Sequence, residues 1–138
     1  MIATIKQQFY NLLTEDLHYN VADNPYATKE RTFPYVMLTL QNTKRDVYKN
    51  SYLYTIKLKI DIFSSYSGEQ EILKMEEEIF DKSNKLYDNE FVTYVRQSAF
   101  RILDDKSTGA LRKHGVITYT ILCAGGIEEN ESDNETGA

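Results

Sequence analysis

From Tyr52 to Ile62, apolar side chains recur at every second position. Tyr52, Tyr54, Ile56, Leu58, Ile60 and Ile62 share one parity, while Thr55, Lys57, Lys59 and Asp61 fall on the other. Successive side chains of a β-strand point to opposite faces, so a strand puts the six apolar groups on one side. An alternation of this length means that one face packs on a core and the other meets water or a partner. The rest of the chain must therefore supply more strands and something to cover one face of the sheet.

Two segments have the period to provide that cover. Over residues 3–17, Ile5, Phe9, Leu12, Leu13 and Leu17 recur at three- and four-residue steps, and Thr4 with Gln7 forms a candidate capping box. A second helix is expected to open at Ser67, capped with Gln70, and to stop near Asp88 and Asn89. Glu69 and Glu71 lie favourably near its positive end. Ile72, Met75, Ile79 and Leu86 form its buried stripe, flanked by Leu73, Phe80 and Tyr87. Glu76, Glu77, Glu78 and Asp81 form a solvated face, because consecutive helical side chains diverge and cannot converge on one atom.

Three further strands are legible. Val36, Leu38 and Leu40 alternate with Met37, Thr39 and Gln41 just after Pro34. Residues 91–103 are rich in β-formers, with a shift of alternation at Gln97 and Ser98 that predicts a bulge or bend. Ile117, Tyr119, Ile121 and Cys123 share one face of a last strand over 116–123. The stretch from His18 to Phe33 reads as an extended connector. Asn42 to Ser51 reads as a polar loop holding Lys44, Arg45, Asp46 and Lys49, and Asp104 to Lys113 as a second charged loop containing Gly109. The expected fold is α+β, in the order helix, strand, strand, helix, strand, strand, with a mainly antiparallel sheet and helices packed on one face.

A chain of 138 residues has room for one domain, expected over 1–125. Residues 126–138 carry Glu128, Glu129, Glu131, Asp133 and Glu135 with no base, and no apolar pattern, which predicts a disordered acidic tail. Those five acids account for the whole excess of 21 acids over 16 bases, so the body is neutral. A neutral body gives no bulk-charge argument for nucleic-acid binding. No run is long and apolar enough to span a membrane, and the amphipathic N-terminus, interrupted by Lys6, Asn11 and Glu15, is unlike a signal peptide. An intracellular setting is the expectation.

Candidate chemistry is sparse. Cys123 is the single cysteine, which rules out an intrachain disulfide and a thiolate cluster. Its place on an alternating strand makes it a small core residue. His18 and His114 are far apart in sequence and have no metal-ligand spacing; His18 reads as a connector residue and His114 as a surface or strand-edge side chain. No glycine-rich phosphate loop, acid–base pair or activated nucleophile is visible, so neither an enzyme nor a cofactor is expected. The eleven tyrosines divide between half-buried strand positions (Tyr52, Tyr54, Tyr94, Tyr119) and candidate contacts such as Tyr19, Tyr26, Tyr35 and Tyr48.

Two longer segments carry a resemblance. YTIKLKIDIFSSYSGEQEILKMEEEI resembles the strand, polar turn and helix of tail-completion (tail-terminator) proteins of long-tailed bacteriophages. LDDKSTGALRKHGVITYTILCA resembles the closing hairpin of that family: an acidic turn at Asp104 and Asp105, then Arg112 or Lys113, His114 and Gly115 opening the final strand. FPYV at residues 33–36 matches its aromatic-proline lead into the first strand. Together they cover most of residues 33–124. The resemblance implies a ring, a hexamer on the tail, that caps the tail tube, ends its polymerisation and joins it to the head connector or head-closure protein. It implies a place in the virion neck, reached from the host cytoplasm during assembly, with DNA met only as it passes through the channel. The charged loops are the expected protein contacts, with Arg45, Lys49, Asp105, Lys106, Arg112 and His114 as the named candidates. The rival readings are another neck or head-closure component, and a nucleic-acid-binding α+β module using Lys57 and Lys59 with Phe63.

Overall fold

The computed structural model describes residues 2–22, 33–84, 86, 92–106 and 111–126. Its elements are helix α1 (Ile2–Asn11) running into a π-helical turn (Leu12–Asp16), then strands β1 (Val21–Ala22), β2 (Tyr35–Val47) and β3 (Ser51–Phe63). Helix α2 (Gln70–Ser83) and strands β4 (Val92–Asp105) and β5 (Arg112–Gly126) follow. They form one five-stranded sheet in the order β1-β2-β3-β5-β4.

The expected order of elements needs correction. The connector contains a strand: β1 pairs in parallel with β2, Val21 opposite Val36 and Ala22 opposite Met37, which makes the sheet mixed. Two residues give no readable period, and the pairing depends on where the preceding helix ends. That end is set by His18 at φ 58°, which turns the chain so that the Tyr19 N–H reaches the Leu13 carbonyl at 2.9 Å. The Val36 N–H then donates to Asn20 O at 2.9 Å.

The period-two reading of β3 holds: Ile56, Leu58, Ile60 and Ile62 are all fully buried. They meet Ile117, Tyr119, Ile121 and Cys123 of β5 and the inward residues Ile5, Phe9, Leu12, Leu13, Ile72, Met75 and Ile79. Both helices therefore lie on one face of the sheet. The π turn brings neighbouring Leu12 and Leu13 into the core together, beneath a Thr14 Oγ1 bond to Tyr10 O at 2.8 Å. The expected break in β4 is a shift of register between Gln97 and Ala99, with Ser98 as the extra residue.

Other local expectations fail. Thr4 lies inside α1, so it caps nothing. Helix α2 opens at Gln70, and the Ser67–Gln70 box is replaced by Glu71, whose Oε1 accepts from Ser64 Oγ at 2.8 Å and Ser65 N–H at 2.7 Å. The residues named as flanking its buried stripe point outward: Leu73 is 47% exposed and Phe80 46%. Asn42 to Ser51 is largely strand, since β2 and β3 stay paired to Val47 opposite Tyr52 and the turn closes with Tyr48 N–H on Ser51 O at 2.7 Å. The expected stop near Asp88 and Asn89 is too late, because α2 ends at Ser83 with Asn84 as its C-cap. Expectations for Tyr26, Gly109, Tyr87 and the acidic tail beyond Gly126 fall outside the described residues.

Candidate functional site

The sheet has two ends, and the candidate residues divide between them. At one end the β2–β3 hairpin projects past the core: residues 40–45 are exposed, and Val47 and Tyr48 are 70% and 57% exposed. Arg45 lies here with its guanidinium 5.2 Å from the Tyr54 ring centroid, and Lys49 is exposed in the turn. At the other end β4 runs into β5, with Asp105 in register with Arg112 and Leu103 with His114. Lys106 is exposed beside them. β3 spans the distance between the ends, roughly 40 Å for its length at the usual rise per residue.

At the second end a run of ring contacts links three strands. Tyr35 of β2, Phe63 of β3 and His114 of β5 are register partners on the face away from the helices. Their rings stack at 4.6 Å (Tyr35–Phe63) and 4.4 Å (Phe63–His114). Phe33 packs on Tyr35 at 5.1 Å, and the Arg112 guanidinium lies 4.0 Å over the Phe33 ring. His114 Nε2 lies 2.7 Å from Asp61 Oδ1, and Lys59 Nζ lies 3.7 Å from Asp61 Oδ2. His114 is thus no plain strand-edge side chain. It compensates a carboxylate that is 5% exposed, where a solvated residue was expected.

The sequence offers Tyr35 as a candidate contact, Phe63 as an aromatic beside Lys57 and Lys59, Phe33 as the end of the connector and Asp61 as a polar-face residue, but not their grouping around His114, because the stack exists only across strands. The available signal was two apolar aromatics, Tyr35 and Phe63, on the parity opposite the core, which a hairpin register would have placed side by side.

A paired histidine and carboxylate is two-thirds of a nucleophile-activating arrangement. Here both described partners of the ring, Asp61 and Phe63, immobilise it. Cys123 lies on the opposite, helix-covered face, fully buried, and burial pushes its thiol up to about 11. Among the described residues, no three His, Cys, Asp or Glu side chains are placed to hold a metal ion. No helix is long and apolar enough to cross a membrane among the described residues. A second polar cluster is internal: the Tyr119 hydroxyl donates to Ser83 Oγ at 3.0 Å, and Ser83 Oγ donates to Phe80 O at 2.8 Å. It fixes α2 to β5. Of the tyrosines proposed as contacts, Tyr48 is exposed, Tyr35 is buried in the stack, and Tyr19 is tied to Glu78 through its hydroxyl.

Comparison with family models and with curated proteins gives no match.

Proposed function

We propose that this chain is a structural assembly protein whose work is done by surfaces and not by a reactive centre. Within that class, the reading we favour is a tail-completion protein: a ring subunit that caps the tail tube, ends its growth and presents a second surface to the head connector. The observation that carries it is the separation of the two charged clusters, Arg45 and Lys49 at one end of the sheet and Asp105, Lys106, Arg112 and His114 at the other. A cap must bind the last tube ring with one surface and expose an unlike surface opposite, so that the next identical ring finds no complement. The two ends are unlike in this sense. One is a projecting hairpin with exposed Val47 and Tyr48, and the other is an aromatic stack edged by charge. The resemblance over residues 33–124 supports the same reading from the sequence side.

The test is genetic and visual. The gene is deleted from the phage that carries it and complemented with wild type, with charge reversals at Arg45 and Lys49, or with reversals at Lys106 and Arg112. Loss of the protein should give filled heads and separate, often overlong tails by electron microscopy. Reversals at one end should disturb tail length, and at the other end head joining. Normal tails joined to heads in the deletion strain would sink the proposal.

A further inference from the structure

The neutral body is not uniformly neutral. The sheet face away from the helices carries Lys44, Lys57, Lys59, Arg96, Arg101 and Arg112, against Asp46, Asp61 and Asp105. Helix α2, on the opposite side of the sheet, carries Glu71, Glu76, Glu77, Glu78 and Asp81 against Lys74 and Lys82. The domain is therefore bipolar across its layers, basic on the open sheet face and acidic on the helical one.

The open face also has a shape. Its middle strand, β5, presents the short, half-buried side chains Thr118 and Thr120, with Val116 buried next to them. On one flank stand Lys57 and Lys59 of β3, and on the other Arg96 and Arg101 of β4. Lys57, Thr120 and Arg96 form one cross-strand row. The flanks are two strand spacings apart, about 10 Å, which is the diameter of an α-helix with its side chains. The result is a shallow polar trough with basic rims.

Helix α2 has the matching surface. Leu73, Glu77, Phe80 and Asp81 are exposed on its side away from the core. Two large apolar side chains seven residues apart, about 10 Å along the axis, form an outward stripe that folding leaves in water. Glu77 and Asp81, one turn apart, have no ion-pair partner among the described residues, and neither do Lys57 and Arg101.

We infer that the basic trough of one copy receives the outward stripe of α2 from a second copy. The acids fall between the rims, and Leu73 and Phe80 cover the methyl groups of Thr118 and Thr120. The two surfaces lie on opposite sides of one domain, so the contact is heterologous, and a heterologous contact with the right rotation closes a ring. This inference rests on the ring reading above and specifies which surfaces form the ring. Each contact is small and is strengthened when several close together.

The test uses two full-length variants. One carries Lys57→Glu and Arg96→Glu and keeps its helix stripe. The other carries Glu77→Lys and Asp81→Lys and keeps its trough. Circular dichroism and melting first establish that both fold. Isotope-labelled trough-reversed protein is then titrated with unlabelled stripe-reversed protein, at concentrations up to the millimolar range and low salt. Saturable amide shifts on α2, weakened by added salt and absent when either variant is titrated with itself, are the expected result. Absence of shifts at the highest concentration overturns the inference, as do equal shifts in the self-titrations. So does a finding that the wild-type trough binds single-stranded DNA with steep salt dependence while no copy-to-copy contact exists. The proposed function is judged separately by the deletion strain: unjoined, overlong tails with no trough–stripe contact would remove this inference and leave the cap.

Discussion

Gly115→Ala isolates one close approach on which the packing of α2 against the sheet depends. Gly115 lies in β5, in register with Ile62 and Ile102, and Ile72 of α2 sits directly above it. A methyl group at position 115 would lie 2.6 Å from Ile72 Cγ2, with Ile62 Cβ and Phe100 Cε1 at 3.6 Å on its flanks. Carbon atoms rest at about 3.5–4.0 Å, so roughly 1 Å must be found. Ile72 is fully buried, and a β-branched side chain in a helix has one strongly preferred χ1, so its Cγ2 cannot swing aside. The helix must lift instead, at a cost of about 2–3 kcal/mol, the upper part of the range for overpacked cores. For a chain of this size that is a fall in Tm of roughly 6–12 °C. Urea denaturation at 25 °C measures it directly. The control is Ile72→Ala, which costs about 2–5 kcal/mol alone but removes the obstructing carbon. In that background Gly115→Ala should be neutral or stabilising, because the new methyl fills part of the cavity. The coupling in the double-mutant cycle should be about 2 kcal/mol or more. Equal cost of Gly115→Ala in both backgrounds, within about 0.5 kcal/mol, refutes the argument.

The remaining predictions probe the buried polar groups. Burial pushes the Tyr119 phenol up to about 12, so the neutral form is favoured by folding and stability should fall as the pH rises from about 10 towards 12. Tyr119→Phe should flatten that alkaline loss while costing about 1 kcal/mol near neutrality from the bond to Ser83, read from urea midpoints across pH. Cys123 should resist a thiol reagent at pH 8 in the native protein and react fully in denaturant, with Cys123→Ala costing about 1–2 kcal/mol; rapid native labelling would contradict its burial. His114→Ala should cost about 1–3 kcal/mol because it strips a buried carboxylate of its short contact, and His114→Asn should recover part of that in thermal melts. An equal loss in both variants would mean that Asp61 is held by other means.

What the sequence disclosed and what it hid divide along a physical line. Periods of two and near 3.6 report which residues of one element share a face, and for Ile56 to Ile62, for Ile117 to Cys123 and for Ile72, Met75 and Ile79 of α2 they are right, while Leu86 lies beyond the helix and is half-buried. Helix ends and short pairings depend on neighbours elsewhere in the chain. Glu71 reaching back to Ser64 displaced the expected box at Ser67, and the two-residue strand β1 exists because β2 offers it an edge. A polar run such as residues 42–47 looks like a loop when exposure alone makes it polar; paired with β3, it remains a strand. The candidate residues were legible as charged positions. Their distribution over two ends of a sheet was not, because it follows from register.

Register also hides a bipolar domain behind a neutral composition. Strand parity sends Lys57 and Lys59 to the face that the core rejects, and β4 adds Arg96 and Arg101 there through register. The helices that cover the other face need an outward surface of their own, and α2 supplies it with exposed Glu77 and Asp81, while Glu71, Glu76 and Glu78 accept bonds from Ser64, Gln97 and Tyr19. A sum over the chain cancels these contributions, but charges held on opposite sides of a folded layer do not cancel for a partner approaching one side. The cap proposed above needs two kinds of contact that do not interfere: along the tube and around the ring. The strand axis carries the first candidate set at the sheet's ends, and the layer normal carries the second, as trough and stripe. Because these directions are perpendicular, reversals at Arg45 or Lys106 and reversals at Lys57 or Glu77 should fail in different ways, the former in tail length or head joining, the latter in contact between copies.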